Sequence, residues 1–443
     1  MTATTATERV VIVGGGAGGV ELAVRLGHAA RRGEALEVVL VDPSPTHIWK
    51  PMLHEVAAGT LPTADHEVDY LQLARRHGFR FHPGALSSVD RRSRKVWLAP
   101  LVDADGGEIA PRRALPYDRL VLAIGSVVND FGTPGVKDHA VMLDSPADAR
   151  RIHRRLLAAC ARAELAPAGA AADPVDLVIV GGGAAGVELA AELVDAIDEL
   201  AGYGERLPRL VRASRITLVE AAPRLLGALP EDIASDAQAQ LERRGVAVRL
   251  GAQVVEVGAE GVTLADGSTI GADITVWAAG IQGPRVLGAT DGLERNRRGQ
   301  LVVRPTLQTT LDDRVLALGD CASCIPATGG RPVPPLAQAA QQQARLLARS
   351  LRGLGEGEPM REFTFRDRGS LVSLGRRDAV GRIEAVEGRG AGRGLRLGGV
   401  AARWAYWALQ RRHMAVLHGF GRTLMVTLGS WLVRQPLPRV KLH

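Results

Sequence analysis

The stretch VVIVGGGAGGVELAVRL, Val10–Leu26, returns 167 residues later as LVIVGGGAAGVELAAEL, Leu177–Leu193. Each copy opens with β-branched and apolar residues, crosses three consecutive glycines and runs on into an alanine-rich segment. That pattern predicts a buried strand, a tight turn and a helix. The glycines fall in G-x-G-x-x-G spacing, at Gly14, Gly16 and Gly19 and again at Gly181, Gly183 and Gly186. The first glycine permits the turn, the second lets a pyrophosphate reach the backbone, and the third lets helix close on strand. An acid ends the next strand in both copies, Asp42 in VVLVD and Glu220 in ITLVE, where it can hold ribose hydroxyls. The gap before Glu220 is longer than the usual spacing of about 20 residues. An extended helix and a loop around Gly204–Ala213 would account for it.

A period of this length is too long for a solenoid. It marks two nucleotide-binding units, and the simplest chemistry for two such units is FAD in one and NADH in the other. The Glu220 carboxylate accepts from a free 2′-hydroxyl and repels a 2′-phosphate, which favours NADH over NADPH. Arg224, four residues on, would soften that preference. LALGD, Leu316–Asp320, reads as a short buried strand ending in Gly319 and Asp320. An acid there can bind a ribityl chain, and an ordinary turn aspartate is the alternative reading.

Around the two copies, strands are expected at Leu36–Val41, Tyr117–Ala123, Arg215–Glu220, Val246–Leu250, Ile274–Ala278 and Val315–Leu318. Helices are expected at Asp148–Ala163, Glu231–Arg244 and Leu336–Leu351, with a Pro/Ala/Gly linker at Leu165–Pro174. Strands alternating with helices specify an α/β protein with two doubly wound, Rossmann-like domains.

Composition narrows the class further. With 46% hydrophobic and 23% charged residues over 443 positions, the chain is globular rather than disordered. Three cysteines exclude a disulfide scaffold. No run of apolar residues long enough to span a bilayer is visible, and Met1–Arg9 lacks the apolar core of a secretory leader, so a cytoplasmic protein is expected. The net charge of +7 is concentrated at one end. Residues 388–443 carry ten Lys and Arg and no Asp or Glu, leaving the rest at 45 − 48 = −3. Such a distribution argues for a local surface contact and against nucleic acid. The same tail holds Trp404, Trp407 and Trp431. Leu424, Leu428 and Trp431 follow at i, i+4 and i+7, with Met425 and Leu432 beside them and Arg422 and Arg434 at the ends. A helix of about twelve residues covers about 18 Å, short of a hydrocarbon core of about 30 Å. An amphipathic helix lying in the membrane interface fits, and a dimer face or core-packing helix is the alternative.

The chain resembles the two-dinucleotide-binding-domain flavoproteins, and among them the type II NADH dehydrogenases, the non-pumping NADH:quinone oxidoreductases. The matching pieces, in order, are VVIVGGGAGGVELA, HIWKPMLHEVAAGTL, LPYDRLVLAIGS, GGGAAGVELAAEL, VWAAGI, LALGDCA, PPLAQAAQQQA and FTFRDRGSLVSLGRRDAV. The resemblance implies a discontinuous FAD domain (1–140 and 281–390), an inserted NADH domain (141–280) and membrane-associating helices at 391–443. It places FAD at Gly14, Gly16, Gly19, Asp42, Gly319 and Asp320, and NADH at Gly181, Gly183, Gly186 and Glu220. It adds Pro51, Ala123, Gly125, Ala279, Gly280 and Ala337 to the cofactor contacts. A-Q-x-A-x-Q-Q at Ala337–Gln343 is similar to the family's quinone motif. Gln338 and Gln342 share a helical face, and their amides can donate to quinone oxygens without adding charge. Glu188, at the start of the second glycine helix, would relay protons to reduced quinone. A dipole-favoured helix-terminal Glu is the alternative, since Glu21 stands at the same place in the first copy. Lys50 departs from the polar amide expected in the flavin-facing segment His47–Leu61.

The implied activity is electron transfer from NADH through FAD to a membrane quinone, at the cytoplasmic face and without pumping. No metal is assigned, and a homodimer is compatible with this. Cysteine placement excludes relatives: no Cys pair follows the first glycine unit, as disulfide reductases require, and Cys160 is misplaced for a sulfide:quinone oxidoreductase. Cys321 and Cys324 form C-x-x-C, read as small buried side chains, with a redox pair as the alternative. Two other functions remain open on sequence, a soluble NAD(P)H reductase serving a ferredoxin-like protein and a flavin-binding redox sensor.

Overall fold

The computed structural model describes residues 7–61, 66–165, 174–354, 358–376, 378–383 and 395–432. Most of the proposed linker Leu165–Pro174 lies outside them, as do Arg434 and the side chains of Trp431 and Leu432. The chain divides into two compact units, Met1–Trp49 with Glu67–Val127 and Ile281–Arg366, and Lys50–His66 with Val128–Gly280 and Asp367–His443.

In the first unit the β-branched run Glu8–Val13 is the middle strand of a five-stranded parallel sheet. Leu36–Asp42 and Arg80–Pro83 lie to one side, Arg119–Leu122 and Val315–Ala317 to the other. Ile12 pairs with Leu40 and Val121, and the central side chains are wholly buried. Burial of each such side chain contributes roughly 1.5–3 kcal/mol. The helices Ala17–Arg31 and Ala337–Leu354 pack against each other. At Gly18 a methyl group would strike Leu318 and crowd the Ala340 carbonyl, so glycine sets how closely these helices approach. An antiparallel meander, Leu86–Asp90, Lys95–Leu98 and Arg113–Pro116, completes this unit.

The second unit repeats the plan. Its parallel sheet runs Ala140–Met142, Ile274–Trp277, Asp176–Val180, Arg215–Val219, Ala247–Arg249. The glycine strand is again the middle one, and the strand that ends in an acid is again its neighbour. Helices Pro146–Glu164, Ala184–Leu200 and Glu231–Arg243 accompany it. Ser145 and Asp148 form a capping box that fixes where the first of these begins. Val254, Val257, Val262 and Leu264 from an antiparallel meander share a core with Val178, Val180 and Trp277. A second meander, Gly369–Ser373, Ala379–Ile383 and Leu395–Gly398, leads into helices Gly399–His418 and Phe420–Leu432.

One expectation fails. The stretch expected as a loop around Gly204–Ala213 contains the helix Leu207–Ala213. Its N-terminus lacks a local capping side chain, and Glu164 supplies the cap from a distance. The Glu164 carboxylate accepts from the backbone N–H groups of Glu205, Arg206 and Leu207 at 3.0–3.2 Å. A cap borrowed from 43 residues away leaves no mark in the local sequence. Among the described residues, no helix is long and apolar enough to cross a membrane.

Candidate active site

The two glycine turns assign each glycine a separate steric role. At Gly14 φ is +104°, and a Cβ would collide with the Ala123 carbonyl. At Gly19 a Cβ would collide with the Gly14 carbonyl, so helix meets turn only without a side chain. Gly16 faces open space and precedes the helix with no side-chain cap, leaving its first-turn N–H groups for an anion. The second unit matches: Gly181 has φ of +115° and a Cβ there would lie 2.8 Å from the Ala278 carbonyl, a Cβ at Gly186 would meet the Gly181 carbonyl, and Gly183 is open and uncapped.

Each acid grips its own turn. Asp42 accepts from the N–H of Gly15 at 2.6 Å and of Ser44 at 2.8 Å. Burial pushes its carboxyl up, and those two hydrogen bonds pull it back. Glu220 accepts from the N–H of Gly182 at 2.6 Å and of Ala222 at 2.7 Å. Both cradles suit an anion: open glycine, uncapped helix and a carboxylate held at the strand end. Arg224, expected to soften the choice of NADH, instead donates to the carbonyls of Leu229 and Gly227 within its own loop.

The remaining cofactor candidates of the first unit lie beside its cradle. Ala123 follows the Arg119–Leu122 strand, and Gly125 adopts φ of +70°. Gly319, at +71°, opens the turn that carries Asp320. Asp320 accepts from the Ser126 hydroxyl at 3.0 Å. The Gly319 N–H donates to the side-chain oxygen of Gln343 at 2.7 Å. Ala337 starts the helix that presents Gln338 and Gln342. Both ends of the Gln342 amide meet the Arg366 backbone, donating to its carbonyl at 2.8 Å and accepting from its N–H at 3.1 Å. Its second N–H proton remains for another acceptor. In the second unit, Pro51 sits in a single turn at Lys50–Met52, and Ala279 and Gly280 follow the Ile274–Trp277 strand. Lys50 pairs with Asp144 at 2.6 Å. Cys321 and Cys324 are buried free thiols that donate to carbonyls, pushed up by burial to about 12 and about 11.

A profile of the pyridine nucleotide-disulphide oxidoreductase family matches residues 8–344. The sequence is 40% identical to a type II NADH:quinone oxidoreductase of Haemophilus influenzae, over 98% of this chain and 100% of that one. The chain belongs to the type II NADH:quinone oxidoreductases. A Staphylococcus aureus enzyme of the same name is 32% identical over 85% of this chain and 90% of its own. Among solved structures, NDH2 from Plasmodium falciparum in complex with NADH shares the fold, with a TM-score of 0.81 at 16% identity. That alignment covers 98% of this chain and 100% of that one.

Around Glu188 the second unit of this family member holds a cluster that the sequence reading missed. Glu188 and Glu192 lie one turn apart on the Ala184–Leu200 helix, and His54 and Glu55 on the short helix Leu53–Ala58. Arg403 and Tyr406 come from Gly399–His418. Glu188 accepts from the Ser373 N–H at 3.1 Å and lies 3.4 Å from His54 Nδ1. On the far side of the ring, Nε2 is 3.9 Å from Glu55. Arg403 reaches to 3.8 Å of Glu55 and donates to the Ser373 hydroxyl at 2.9 Å. Glu192 accepts from the Thr60 hydroxyl at 3.2 Å.

Burial dominates the electrostatics here. It lifts Glu188 to about 8 and Glu55 to about 7, with nearby carboxylates adding to the effect. Glu192 and the Tyr406 phenol are also raised, and His54 is held down to about 3. Donor atoms of His54, Glu55 and Glu192 lie within 4.8 Å of one another. Arg403 already supplies the cation beside Glu55, so the cluster reads as a proton-holding group with its own counter-ion. Two signals were available in the sequence, the His54–Glu55 pair inside an apolar run and the four-residue spacing of Glu188 and Glu192.

Proposed function

We infer that this chain catalyses the reaction of its family, oxidation of NADH and reduction of a membrane quinone without proton pumping. FAD, when bound, supplies the two-electron step between donor and acceptor. One observation carries the reading: two glycine cradles, each open at its middle glycine, each locked by an acid at the end of the neighbouring strand. A redox sensor using Cys321 and Cys324 is disfavoured, since both thiols are buried and held far above neutral pH.

The chain's parts take these roles. Residues 1–140 and 281–390 hold FAD through Gly14, Gly16, Gly19, Asp42, Ala123, Gly125, Gly319, Asp320 and Ala337, joined by Pro51. Residues 141–280 hold NADH through Gly181, Gly183, Gly186, Glu220, Ala279 and Gly280. Gln338 and Gln342 donate to the quinone oxygens. Glu188, buried and protonated near neutral pH, supplies a proton to reduced quinone. Residues 391–443 lie on the membrane: Val400, Trp404, Leu409, Leu424, Met425 and Leu428 are exposed apolar side chains on a stretch without acids. That face is the cytoplasmic one, where NADH is available, and a homodimer is compatible with this reading.

Purified protein loaded with FAD should oxidise NADH rapidly only when a short-chain quinone is supplied, followed by NADH absorbance. Flavin bleaching by NADH with no quinone-dependent turnover would sink the assignment of the acceptor. Liposome flotation tests the tail: full-length protein should float with anionic vesicles, and protein ending at residue 398 should not.

A further inference from the structure

Two buried side chains converge on one carbonyl in the first glycine turn. The Gly15 carbonyl accepts from the Tyr70 hydroxyl at 2.7 Å and from Nδ1 of His47 at 3.0 Å. Burial holds the Tyr70 phenol well above its ordinary range, with the charge of Asp42 adding to the effect, and holds the His47 ring down to about 4. At neutral pH both are therefore uncharged donors, and the ring carries its proton on Nδ1, since a carbonyl only accepts.

Local structure delivers the two donors together. His47 ends the short strand Thr46–His47, which pairs with Val68–Asp69, and Tyr70 is the next residue after that partner. Asp69 caps the helix Tyr70–His77 by accepting from the Gln72 N–H at 2.7 Å, and the Tyr70 N–H donates to the Pro45 carbonyl at 3.0 Å. The Tyr70 ring stacks on Phe81, with centroids 5.1 Å apart. A Cβ at Gly15 would strike the Tyr70 hydroxyl, so this contact is open only to glycine.

A peptide bond is planar and trans, so its C=O and N–H point in opposite directions. Anchoring the Gly15 carbonyl therefore turns the Gly16 N–H the other way. That N–H makes no hydrogen bond among the described residues, and the space around Gly16 is open. The second unit holds its corresponding peptide by other means. There the Gly182 carbonyl accepts from the Leu226 N–H at 2.8 Å, and Leu226 adopts φ of +49°.

We propose that Tyr70 and His47 are positioning residues for FAD, aiming the Gly16 N–H at the diphosphate and so setting how tightly the chain holds its flavin. The inference rests on the assignment of FAD to the first cradle. With both donors in place the peptide is fixed before the cofactor arrives. With a donor removed the carbonyl gains freedom to turn, and affinity falls with the fraction of molecules whose N–H still faces the diphosphate.

The test uses full-length, FAD-loaded protein and the variants Tyr70→Phe, His47→Leu, His47→Asn and Gly16→Val. Flavin occupancy over a dilution series reports retention, and phosphorus NMR reports the bound diphosphate. Tyr70→Phe and His47→Leu should each weaken retention about tenfold, the order expected when a buried carbonyl loses a donor, and the two together should weaken it further. Their bound phosphorus resonances should move. His47→Asn, whose amide N–H can stand where Nδ1–H stood, should restore both readings. Wild-type retention in Tyr70→Phe and His47→Leu overturns the proposal. So does weaker retention with unmoved phosphorus resonances, or with an equal rise in the KM for NADH, since either marks a merely structural role. If Gly16→Val strips FAD while the other variants keep it, the positioning role alone fails. If Gly16→Val keeps FAD, the assignment of FAD to the first cradle fails. Should Tyr70→Phe not fold, His47→Leu against His47→Asn decides the question by the same readings.

Discussion

Glu21 and Glu188 occupy the same place in the two glycine units, two residues past the last glycine of the motif, and both are buried. Their surroundings differ. Glu21 accepts from Arg25 at 2.8–2.9 Å and from Arg345 at 2.6 Å. Glu188 has a backbone N–H and a neutral ring, with Glu55 and Glu192 close by and Arg403 acting from a distance. The first carboxylate is therefore a strut between two helices, gripped by two guanidinium groups. The second has a proton at neutral pH that it can give up. One motif has produced a fastener in one half and an acid in the other, and the partners decide which.

The sharpest way to break that comparison is to replace each acid by its amide in turn. Glu188→Gln should lower quinone turnover by about 10²-fold, the low end for loss of a positioned acid, with little effect on flavin reduction by NADH. Glu21→Gln should do the reverse, leaving turnover per folded molecule unchanged and costing about 1–3 kcal/mol in denaturant unfolding, as expected when buried charged partners are lost. Equal effects on turnover from both would end the distinction.

The cradles offer the next contrast. Gly16→Val fills the open space of the first unit and should strip FAD, read as flavin absorbance after gel filtration. Gly183→Val fills the second and should leave flavin bound while raising the KM for NADH at least about tenfold, roughly the loss of 1.4 kcal/mol of binding. A smaller effect is expected from Glu220→Arg, which exchanges an acceptor for a cation and should move the NADH/NADPH ratio of kcat/KM toward NADPH. Unchanged preference would remove Glu220 from the ribose.

The least conspicuous test is a melting series. A carboxyl raised to about 8 when folded binds more protons than its unfolded form from about 4.5 upward. Its favourable contribution is complete below that lower value and is lost as pH rises through about 8. Wild-type Tm should therefore fall from pH 5 to pH 8 relative to Glu188→Gln. Parallel curves for the two proteins would place the Glu188 shift in doubt.

How far the sequence foretold this structure depends on the range of each interaction. The glycine turns, their acids, the alternating strands and the matching glutamates Glu188 and Glu21 are local patterns, and they were readable. The surroundings that separate the two acids were not. Arg345 reaches Glu21 across 324 residues, Ser373 reaches Glu188 across 185, and Thr60 reaches Glu192 across 132. Helix Leu207–Ala213 was missed for the same reason, its cap being borrowed from Glu164. In the glutamine motif the spacing identified a helical face at Gln338 and Gln342. It did not show that Gln343 turns inward to hold the turn bearing Asp320, or that Gln342 grips the Arg366 backbone.

That inward glutamine has a consequence for equilibria. The Gly319 N–H is bonded to Gln343, so the turn bearing Asp320 and the helix bearing Gln338 and Gln342 share one hydrogen bond. Ligands that settle either element bias the other, and thermodynamic linkage makes that influence mutual. A quinone-site inhibitor that slows the escape of flavin must itself be held more tightly by the flavin-loaded protein, by the same factor at equilibrium. Gln343→Ala removes that hydrogen bond, and the expected result is two independent binding isotherms.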